Sequence, residues 1–298
     1  MAYNKQTFEN GTVLTAEHLN HIEDGISAAH NAVADAETAI SDLKLECINY
    51  DLNVKAVNHR GYSAGAPENT LPAYRMSKKM GFTYVECDVA FTSDNVAVLL
   101  HDDTINRTSN GSGSISSMTY AKASSYDFGS WFSSEYAGTK IPKFTEFITL
   151  CKRLGLHPYI ELKSSGSYTQ EQITQIVTEV KNCGMTGKVT YISFNNIFLQ
   201  YTKTADPSAR LGYLISTLTD EAISNALALR TETNEVFMDL KLANLKSSHI
   251  TSCINNNLPL EVWTVNTESE ILNMSPYITG VTSDNLVAGK VLYDAAIG

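Results

Sequence analysis

The sequence lacks the apolar runs, the cysteine pairs and the excess of positive charge that mark several large classes of protein. No stretch approaches the ~20 consecutive apolar residues of a membrane-spanning helix. The opening, MAYNKQTFENGTVL, has no apolar run behind a basic region, so it predicts no secretory signal and synthesis in the cytoplasm. The 5 cysteines show no CxxC spacing and predict neither a disulfide framework nor a zinc site. The formal net charge of −10 argues against a nucleic-acid partner, because no basic field exists to displace counterions from phosphates.

What is present indicates a large globular α/β protein. The 298 residues can bury the core of one large domain or of two smaller units. From residue 53 onward, segments typical of strands alternate with segments typical of helices. The predicted strands are Val54–His59, Tyr84–Asp88, Val96–His101, Pro158–Glu161, Val189–Ser193, Leu211–Leu214, Val236–Asp239, Leu260–Val265 and Gly280–Thr282. The predicted helices are Leu71–Met80, Lys143–Leu154, Gln170–Asn182, Asn196–Thr204, Asp220–Leu229, Leu245–Asn256 and Glu268–Met274. This repetition predicts a (β/α)8 barrel of the TIM type over residues 51–298.

The predicted strands are one too many for an eight-stranded barrel. Between Asp88 and Val96 the chain is too short for the crossover helix that joins parallel strands. The sequence TSDN at 92–95 is typical of a tight turn, so Tyr84–Phe91 and Val96–Leu100 are expected to form a hairpin. We expect that hairpin to overhang the carboxyl-terminal mouth of the barrel, and the chain after it to form an excursion above the mouth.

Polar side chains collect where the predicted strands end, which is where the active sites of such barrels lie. Glu86 and Asp88 are two residues apart, as are Glu161 and Lys163, so the members of each pair point to the same face of their strand. The full set is His59, Arg60, Glu86, Asp88, His101, Asp102, Glu161, Lys163, Trp263 and Asp284. The sequence therefore predicts one cluster of charged groups at the mouth.

The residue types in this cluster suit displacement at phosphorus. Three carboxylates facing one mouth would repel one another, and a divalent cation removes that repulsion. Ligands that are all oxygen favour Ca2+ or Mg2+, so we assign one such ion to Glu86, Asp88 and Glu161. Two histidines beside a metal can act as general base and general acid. Arg60 and Lys163 supply positive charge, and a guanidinium is suited to gripping phosphate oxygens. Positioning and charge stabilisation of this kind are what such a displacement needs.

Several of these residues also have a purely structural interpretation. A lone histidine at a strand end usually serves the fold. Glu161 and Lys163 can form a simple ion pair on the rim, and Trp263 can belong to the core. Asp284 is expected to be a helix N-cap or a loop residue. Agreement among the polar groups of several strands favours the functional interpretation.

The order and spacing of seven stretches resemble the glycerophosphodiester phosphodiesterases. These stretches are NHRGYSAGAPENT, VECDVAFTSDNVAVLLHDDTINRTSNGSG, GSWFSSEYAGTKIP, YIELK, YISF, VWTVN and GVTSDN, and they cover about Lys55 to Val287. The resemblance implies metal-dependent hydrolysis of a glycerol-linked phosphodiester to glycerol phosphate and an alcohol. It implies that His59 and His101 form an acid–base pair and that Glu86, Asp88 and Glu161 form a metal site. It implies that Arg60 and Lys163 hold the phosphate and that Trp263 stacks against the glycerol. It also implies that Glu68 and Asn69 shape the first loop. Glu68 can either approach the site or only fix its loop.

The first 50 residues differ from the rest and are expected to form a separate helical segment. Apolar or small residues recur at heptad spacing over residues 19–47, which predicts a coiled coil that joins two or three copies of the chain. A single amphipathic helix packed on the body would give the same stripe. The two series are Leu19, Ile26, Val33, Ile40 and Cys47, and Ile22, Ala29, Ala36 and Leu43.

The stretch FENGTVLTAEHLNHIEDGI, residues 8–26, resembles the opening of bacteriophage tail and baseplate proteins. The resemblance implies attachment to, or descent from, a tail structure. Beside a full catalytic set it leads to the hypothesis of a phosphodiesterase, assembled into a tail or released, that cuts wall teichoic acid, a polymer of glycerol or ribitol phosphodiesters. Two other interpretations stay open. One is a receptor-binding tail protein that recognises teichoic acid without cleaving it, and the other is a metabolic glycerophosphodiesterase.

Overall fold

The computed structural model describes residues 54–163, 165 and 167–285, together with Ile26 and Ala29. The chain divides into two units, 1–50 and 51–298. In the first unit only Ile26 and Ala29 are described, and both are helical. The coiled coil expected over residues 19–47 and the tail-like opening at 8–26 otherwise lie outside the described residues, so both stay predictions.

Nine strands and eight α-helices are described in the second unit. The strands are β1 Lys55–Asn58, β2 Tyr84–Phe91, β3 Ala97–Leu99, β4 His157–Leu162, β5 Thr190–Ser193, β6 Arg210–Ile215, β7 Val236–Lys241, β8 Leu260–Trp263 and β9 Ile278–Ser283. The helices are α1 Leu71–Lys79, α2 Tyr120–Ala123, α3 Phe144–Leu154, α4 Gln170–Asn182, α5 Asn196–Ala205, α6 Asp220–Leu229, α7 Ser247–Asn255 and α8 Glu268–Leu272. Short 3-10 turns lie at Ile115–Ser117, Ser134–Tyr136 and Leu242–Asn244. No described helix is long and apolar enough to cross a membrane.

Eight of the strands close into a parallel barrel, which confirms the predicted fold class. Each strand is parallel to its neighbours in the order β1, β2, β4, β5, β6, β7, β8, β9, and β9 pairs again with β1. The ninth strand, β3, runs antiparallel to β2, with Val89 opposite Leu99. The predicted hairpin is therefore confirmed, and it keeps β3 out of the ring.

Alternation along each strand sends one row of side chains outward to the helices and the other into the barrel. On β7 the outer row is Val236, Met238 and Leu240, which belong to the large core between strands and helices. Phe237 instead joins a small interior cluster that also holds Val57 and Tyr159. Because successive side chains of a strand point to opposite faces, Asp239 points inward as well.

The helices begin and end at residues that satisfy their free backbone groups. Thr169 and Gln172 form a capping box at the start of α4, and Thr267 and Glu270 form another at the start of α8. Gly155 ends α3 in the left-handed conformation at φ 65°, which costs glycine little. These signals explain why most predicted boundaries agree with the structure within two residues.

The excursion after the hairpin is a packed layer with its own small core. Residues from the hairpin and from 105–141 bury one another, among them Val98, Leu100, Ile105, Phe128 and Ile141. The one-turn helices inside it were not predicted, because a single turn has no hydrophobic periodicity to detect. Elsewhere, β2 runs three residues beyond the predicted Asp88, since its end is extended by pairing with β3.

Candidate active site

An open cavity of about 260 Å³ lies at the carboxyl-terminal ends of the barrel strands. The residues expected at the mouth come together there, as the fold requires. Those that line the cavity are His59, Arg60, Glu86, His101, Glu161, Lys163, Trp263 and Asp284. Asp88 lies directly behind them and is fully buried. The sequence thus predicted the location of the cavity and most of its polar lining.

The turn after β1 is shaped by two successive residues with positive φ. Arg60 has φ 56° and Gly61 has φ 76°. A side chain at Gly61 would also collide with the next helix, because an added Cβ would stand 2.8 Å from the Cβ of Ala73. This tight turn aims the Arg60 backbone N–H at Glu86, to which it donates a hydrogen bond of 2.9 Å. The motif HRG therefore fixes the first loop to the neighbouring strand.

Glu86, Asp88 and Glu161 form a cluster of buried carboxylates. They are 2%, 0% and 8% exposed, and one oxygen from each lies within 4.8 Å of the others. Each residue also has a buried oxygen that accepts no well-directed hydrogen bond: Oε1 of Glu86, Oδ1 of Asp88 and Oε1 of Glu161. Unsatisfied buried carboxylate oxygens are costly, and a hard divalent cation satisfies such oxygens. The residues present therefore fit a cation, which confirms that the acidic triad could hold a metal ion.

The pKa values of the three carboxyls reflect their burial and the charges close to them. Burial, reinforced by Asp88 and Glu161, raises the pKa of Glu86 well above its ordinary value. Burial and the charge of Asp88 raise the pKa of Glu161 to about 7. Burial also acts on Asp88, but Arg60 and Lys163 outweigh it and lower the pKa of that carboxyl. The Lys163 ammonium stands 3.1 Å from Glu161 and 3.4 Å from Asp88.

Asn69 orients Asp88 and thereby links the first loop to the carboxylate cluster. Its Nδ2 donates to Asp88 Oδ2 at 2.7 Å, and its Oδ1 accepts from the Asp88 backbone N–H at 3.1 Å. The Tyr74 hydroxyl donates to the same Oδ1 at 3.0 Å. Asn69 has φ 54°, a conformation that asparagine tolerates better than most residues. The expectation that Asn69 shapes the loop agrees with these contacts.

Each histidine in the cavity is bonded to a carboxylate through Nδ1. His59 Nδ1 lies 2.5 Å from Asp284 Oδ1, and His101 Nδ1 lies 2.7 Å from Asp102 Oδ1. The hairpin brings His101 here, because the Leu100 N–H donates to the Asp88 carbonyl at 3.0 Å. A carboxylate on Nδ1 fixes the ring and leaves Nε2 as the nitrogen available for proton transfer.

Asp284 does more than its sequence position indicated. It lies in a loop, as expected, but its carboxylate holds His59 and in turn accepts a 2.7 Å hydrogen bond from Asn266 Nδ2. The hydrogen bond with His59, opposed by burial, lowers the pKa of Asp284. Strand register is the signal that could have revealed this contact. His59 follows β1 and Asp284 follows β9, and Asn58 pairs with Ser283 where the ring closes.

Arg107, in the excursion, was not singled out from the sequence. It reaches back over the mouth, donating to Glu68 at 2.6 Å and to Asp102 at 2.8 Å. Glu68 also accepts from Arg60 at 2.9 Å, so one chain of ion pairs joins the first loop to the excursion. The hydrogen bonds of Arg107, opposed by burial, hold the pKa of Asp102 well below its usual range. Glu68 is therefore connected to the site through its ion pairs with Arg60 and Arg107.

An aromatic wall stands on the β5 and β8 side of the cavity. Phe194 and Trp263 meet edge to face, with ring centroids 5.6 Å apart. Trp263 Nε1 donates to the Asp239 backbone carbonyl at 3.1 Å, which fixes the indole. Trp263 therefore lines the cavity as well as contributing to the interior of the barrel.

Comparison with known proteins decides the family. Residues 59–288 match the model of the "Glycerophosphoryl diester phosphodiesterase family". The chain belongs to this family and is a phosphodiesterase. A glycerophosphodiester phosphodiesterase from Caldanaerobacter subterraneus is 27% identical over 230 residues, 77% of this chain and 93% of that protein. Another, from Bacillus subtilis, is 27% identical over 244 residues, 76% of this chain and 82% of its own.

Solved structures of phosphodiesterases share the fold. A phosphodiesterase from Oleispira antarctica, solved with its product sn-glycerol-3-phosphate, matches with a TM-score of 0.71 at 23% identity. That match covers 84% of this chain and 99% of the other. A glycerophosphodiester phosphodiesterase from Agrobacterium tumefaciens matches with a TM-score of 0.66 at 24% identity, over 79% and 99% of the two chains.

Proposed function

We propose that this protein hydrolyses glycerol-linked phosphodiesters to glycerol phosphate and an alcohol, with His59 and His101 as its acid–base pair. The observation that carries the proposal is the coincidence, in one cavity, of two carboxylate-backed histidines and three buried carboxylates, each with one oxygen that accepts no well-directed hydrogen bond. A pocket that only bound its ligand would not need two oriented proton-transfer groups. Family membership supports the same reaction.

In this proposal the chain's own residues bind the phosphate and move two protons. Arg60 and Lys163 hold the non-bridging phosphate oxygens. One histidine takes the proton of the nucleophile through Nε2, and the other protonates the leaving alkoxide. Trp263 packs against the glycerol carbons. If the nucleophile is a glycerol hydroxyl instead of water, a cyclic phosphate forms first, and phosphorus NMR during turnover would detect it.

The residues that would hold the metal are Glu86, Asp88 and Glu161. Three oxygen-donating carboxylates favour Ca2+ or Mg2+ over a softer ion. When bound, such an ion would neutralise the cluster and polarise a phosphoryl oxygen. Asn69 keeps Asp88 pointed at the same centre.

The test is hydrolysis of glycerophosphocholine by the full chain, with added Ca2+ or Mg2+ and with EDTA. We expect metal-dependent release of choline that is lost in His59→Ala. His249→Ala, on α7, is the matched control, because it removes a histidine outside the cavity and should keep activity. Absence of turnover with either metal, in a folded sample, would contradict the proposal.

For the natural substrate we propose the glycerol phosphate polymer of wall teichoic acid, cut by an enzyme carried on a phage tail. The support is the resemblance of residues 8–26 to tail proteins, and those residues, Ile26 apart, are not among the described ones. Purified teichoic acid and glycerophosphocholine, offered at equal phosphodiester concentration, separate this proposal from a metabolic role. A higher kcat/KM on the polymer supports the wall substrate, and turnover of glycerophosphocholine alone contradicts it.

A further inference from the structure

One buried carboxyl in the cavity, that of Asp239, has no hydrogen-bond or ion-pair partner among the described residues. Asp239 is 1% exposed, yet it lines the same cavity as His59 and Trp263. Its Oδ1 is buried and accepts no hydrogen bond. No hydrogen bond or ion pair to its side chain occurs anywhere in the part of the chain that the structure describes.

The neighbouring interior carboxylate shows how this fold treats a buried acid that serves structure. Glu261, beside Asp239 on β8, accepts from Arg210 at 2.7 Å and from the Tyr159 hydroxyl at 3.3 Å. Lys55 lies 3.6 Å from the same oxygen. Asp239 has no such set. A buried carboxyl without a partner destabilises a fold, so the fold alone gives no reason for Asp239.

The surroundings of Asp239 indicate what kind of ligand group it meets. The charged groups around it are Glu261, Arg210 and Glu161, and burial together with Glu261 raises the pKa of Asp239 well above its ordinary value. A carboxyl among other acids would repel a phosphate. A hydroxyl, by contrast, can donate to an ionised carboxylate and can either donate to or accept from a protonated carboxyl, so it can pair with Asp239 in either protonation state. The ligand group that suits this position is therefore an alcohol.

The position of β7 in the ring of barrel strands indicates how a bound substrate that reaches Asp239 would be oriented. In the strand order, β7 lies four strands away from β2 in an eight-membered ring and hence across the barrel from it. Glu86 and Asp88 are on β2, so the phosphate end of a substrate lies on their side. Trp263, on β8, is tied to the Asp239 backbone at 3.1 Å. A glycerol group that stacks on Trp263 therefore extends from the phosphate toward the Asp239 carboxyl.

We propose that Asp239 is a specificity-determining residue that hydrogen-bonds the terminal hydroxyl of the substrate's glycerol group. The inference rests on the proposed function, because it takes the ligand to be a glycerol phosphodiester. It adds a reason for selecting glycerol over shorter or less hydroxylated alcohols. A site built to bond a hydroxyl rejects the analogue that lacks it, since the polar group is then left buried without a partner.

The experiment compares two substrates that differ in that hydroxyl alone. Glyceryl 4-nitrophenyl phosphate and 2-hydroxypropyl 4-nitrophenyl phosphate share the leaving group, the phosphate and the hydroxyl next to it. We expect the wild type to prefer the glyceryl compound in kcat/KM by about 10- to 100-fold, the range for one hydrogen bond to a group of this kind. We expect Asp239→Ala to lose that preference by slowing the glyceryl compound while changing the other less than about threefold. Asp239→Asn, which keeps the shape and can still hydrogen-bond, should retain part of it.

The melting temperature separates a role in specificity from a role in folding. Because no described residue bonds the Asp239 carboxyl, we expect the Tm of Asp239→Asn to equal or exceed that of the wild type. Equal slowing of both substrates by Asp239→Ala and Asp239→Asn, or a wild type without preference, would overturn the inference.

Failure of the proposed function has a different signature. If the wild type hydrolyses neither substrate, titration calorimetry with sn-glycerol 3-phosphate and with 2-hydroxypropyl phosphate still tests Asp239. Tighter binding of the glycerol compound that is lost in Asp239→Ala supports the residue's role without turnover. Equal binding of the two compounds by the wild type contradicts it.

Discussion

The contact between Asp284 and His59 makes a quantitative prediction about catalysis. Asp284→Asn keeps an oxygen for the His59 Nδ1–H but removes the negative charge, whereas Asp284→Ala removes the bond. A hydrogen bond to a charged group contributes about 1.5–3 kcal/mol, equivalent to roughly 10- to 150-fold in rate. The side chain of Asp284 is 44% exposed, which screens the interaction. We therefore expect kcat to fall about 10-fold in Asp284→Asn and up to about 50-fold in Asp284→Ala.

The assay is steady-state hydrolysis of glycerophosphocholine, because it separates kcat from KM. Asp284 bonds the histidine and not the phosphate, so the loss should appear in kcat while KM changes less than about threefold. Asn266→Ala should act in the same direction but more weakly, since Asn266 holds Asp284 at 2.7 Å and does not itself touch His59. Asp220→Asn, in the first turn of α6, is the matched carboxylate-to-amide control and should leave kcat unchanged.

The role of Asp284 is tested by the order of the kcat losses, which should be larger in Asp284→Ala than in Asp284→Asn. If Asp284→Ala kept kcat within twofold of the wild type, the carboxylate would not position His59 and the argument from geometry would be refuted. A loss confined to KM would instead mean that Asp284 acts on substrate binding. Equal loss in the Asp220→Asn control would indicate a general effect of the substitution.

Three more predictions concern metal, stability and assembly. In EDTA the Tm of the protein should fall as pH rises from about 5 to 8, because burial and Asp88 raise the pKa of Glu161 to about 7 and so make its ionisation unfavourable in the folded state. Mg2+ or Ca2+ should abolish this dependence of Tm on pH. A Tm that does not change with pH in EDTA would contradict the prediction. Arg107→Ala should lower the free energy of unfolding in urea by about 1 kcal/mol or less, since its side chain is 45% exposed, but should lower kcat/KM more clearly than Arg75→Ala on α1. Ile26→Lys with Ile40→Lys should convert an oligomer to a monomer in light scattering without lowering kcat, whereas a wild type that is already monomeric would rule out the coiled coil.

The barrel could be predicted because its signals are local. Helix caps such as Thr169 and Thr219 stand directly before apolar periodicity, and each strand is a short apolar run bounded by polar residues. The hairpin followed from a length argument alone. The excursion was harder, because its small core joins residues such as Val98 and Phe128 that are far apart in the chain and carry no repeating pattern.

The residues of the site show the same difference between local signals and contacts that join distant parts of the chain. Glu86, Asp88 and Glu161 were predicted because i and i+2 positions at a strand end share a face. Asp284 and Arg107 were not assigned their contacts, because those contacts depend on ring closure and on the path of the excursion. Asp239 was not predicted for a different reason. An acid that points inward from a strand has the same local sequence whether an arginine pairs with it, as at Glu261, or no described residue does, as at Asp239.

The charges of the carboxylate cluster and of a bound phosphodiester favour a divalent cation in the cavity. Glu86, Asp88 and Glu161 carry three negative charges when ionised, and a phosphodiester adds one more. Arg60 and Lys163 supply two positive charges beside the cluster, and both Arg60 and Arg107 are also paired with Glu68. Among these groups the negative charges outnumber the positive ones, and a divalent cation would offset the excess. Without it, Arg60 and Lys163 stay on the cluster at 3.4 Å from Asp88 and are less free to hold a phosphate. Removal of metal should therefore weaken substrate binding as well as chemistry, because the same two cations serve both.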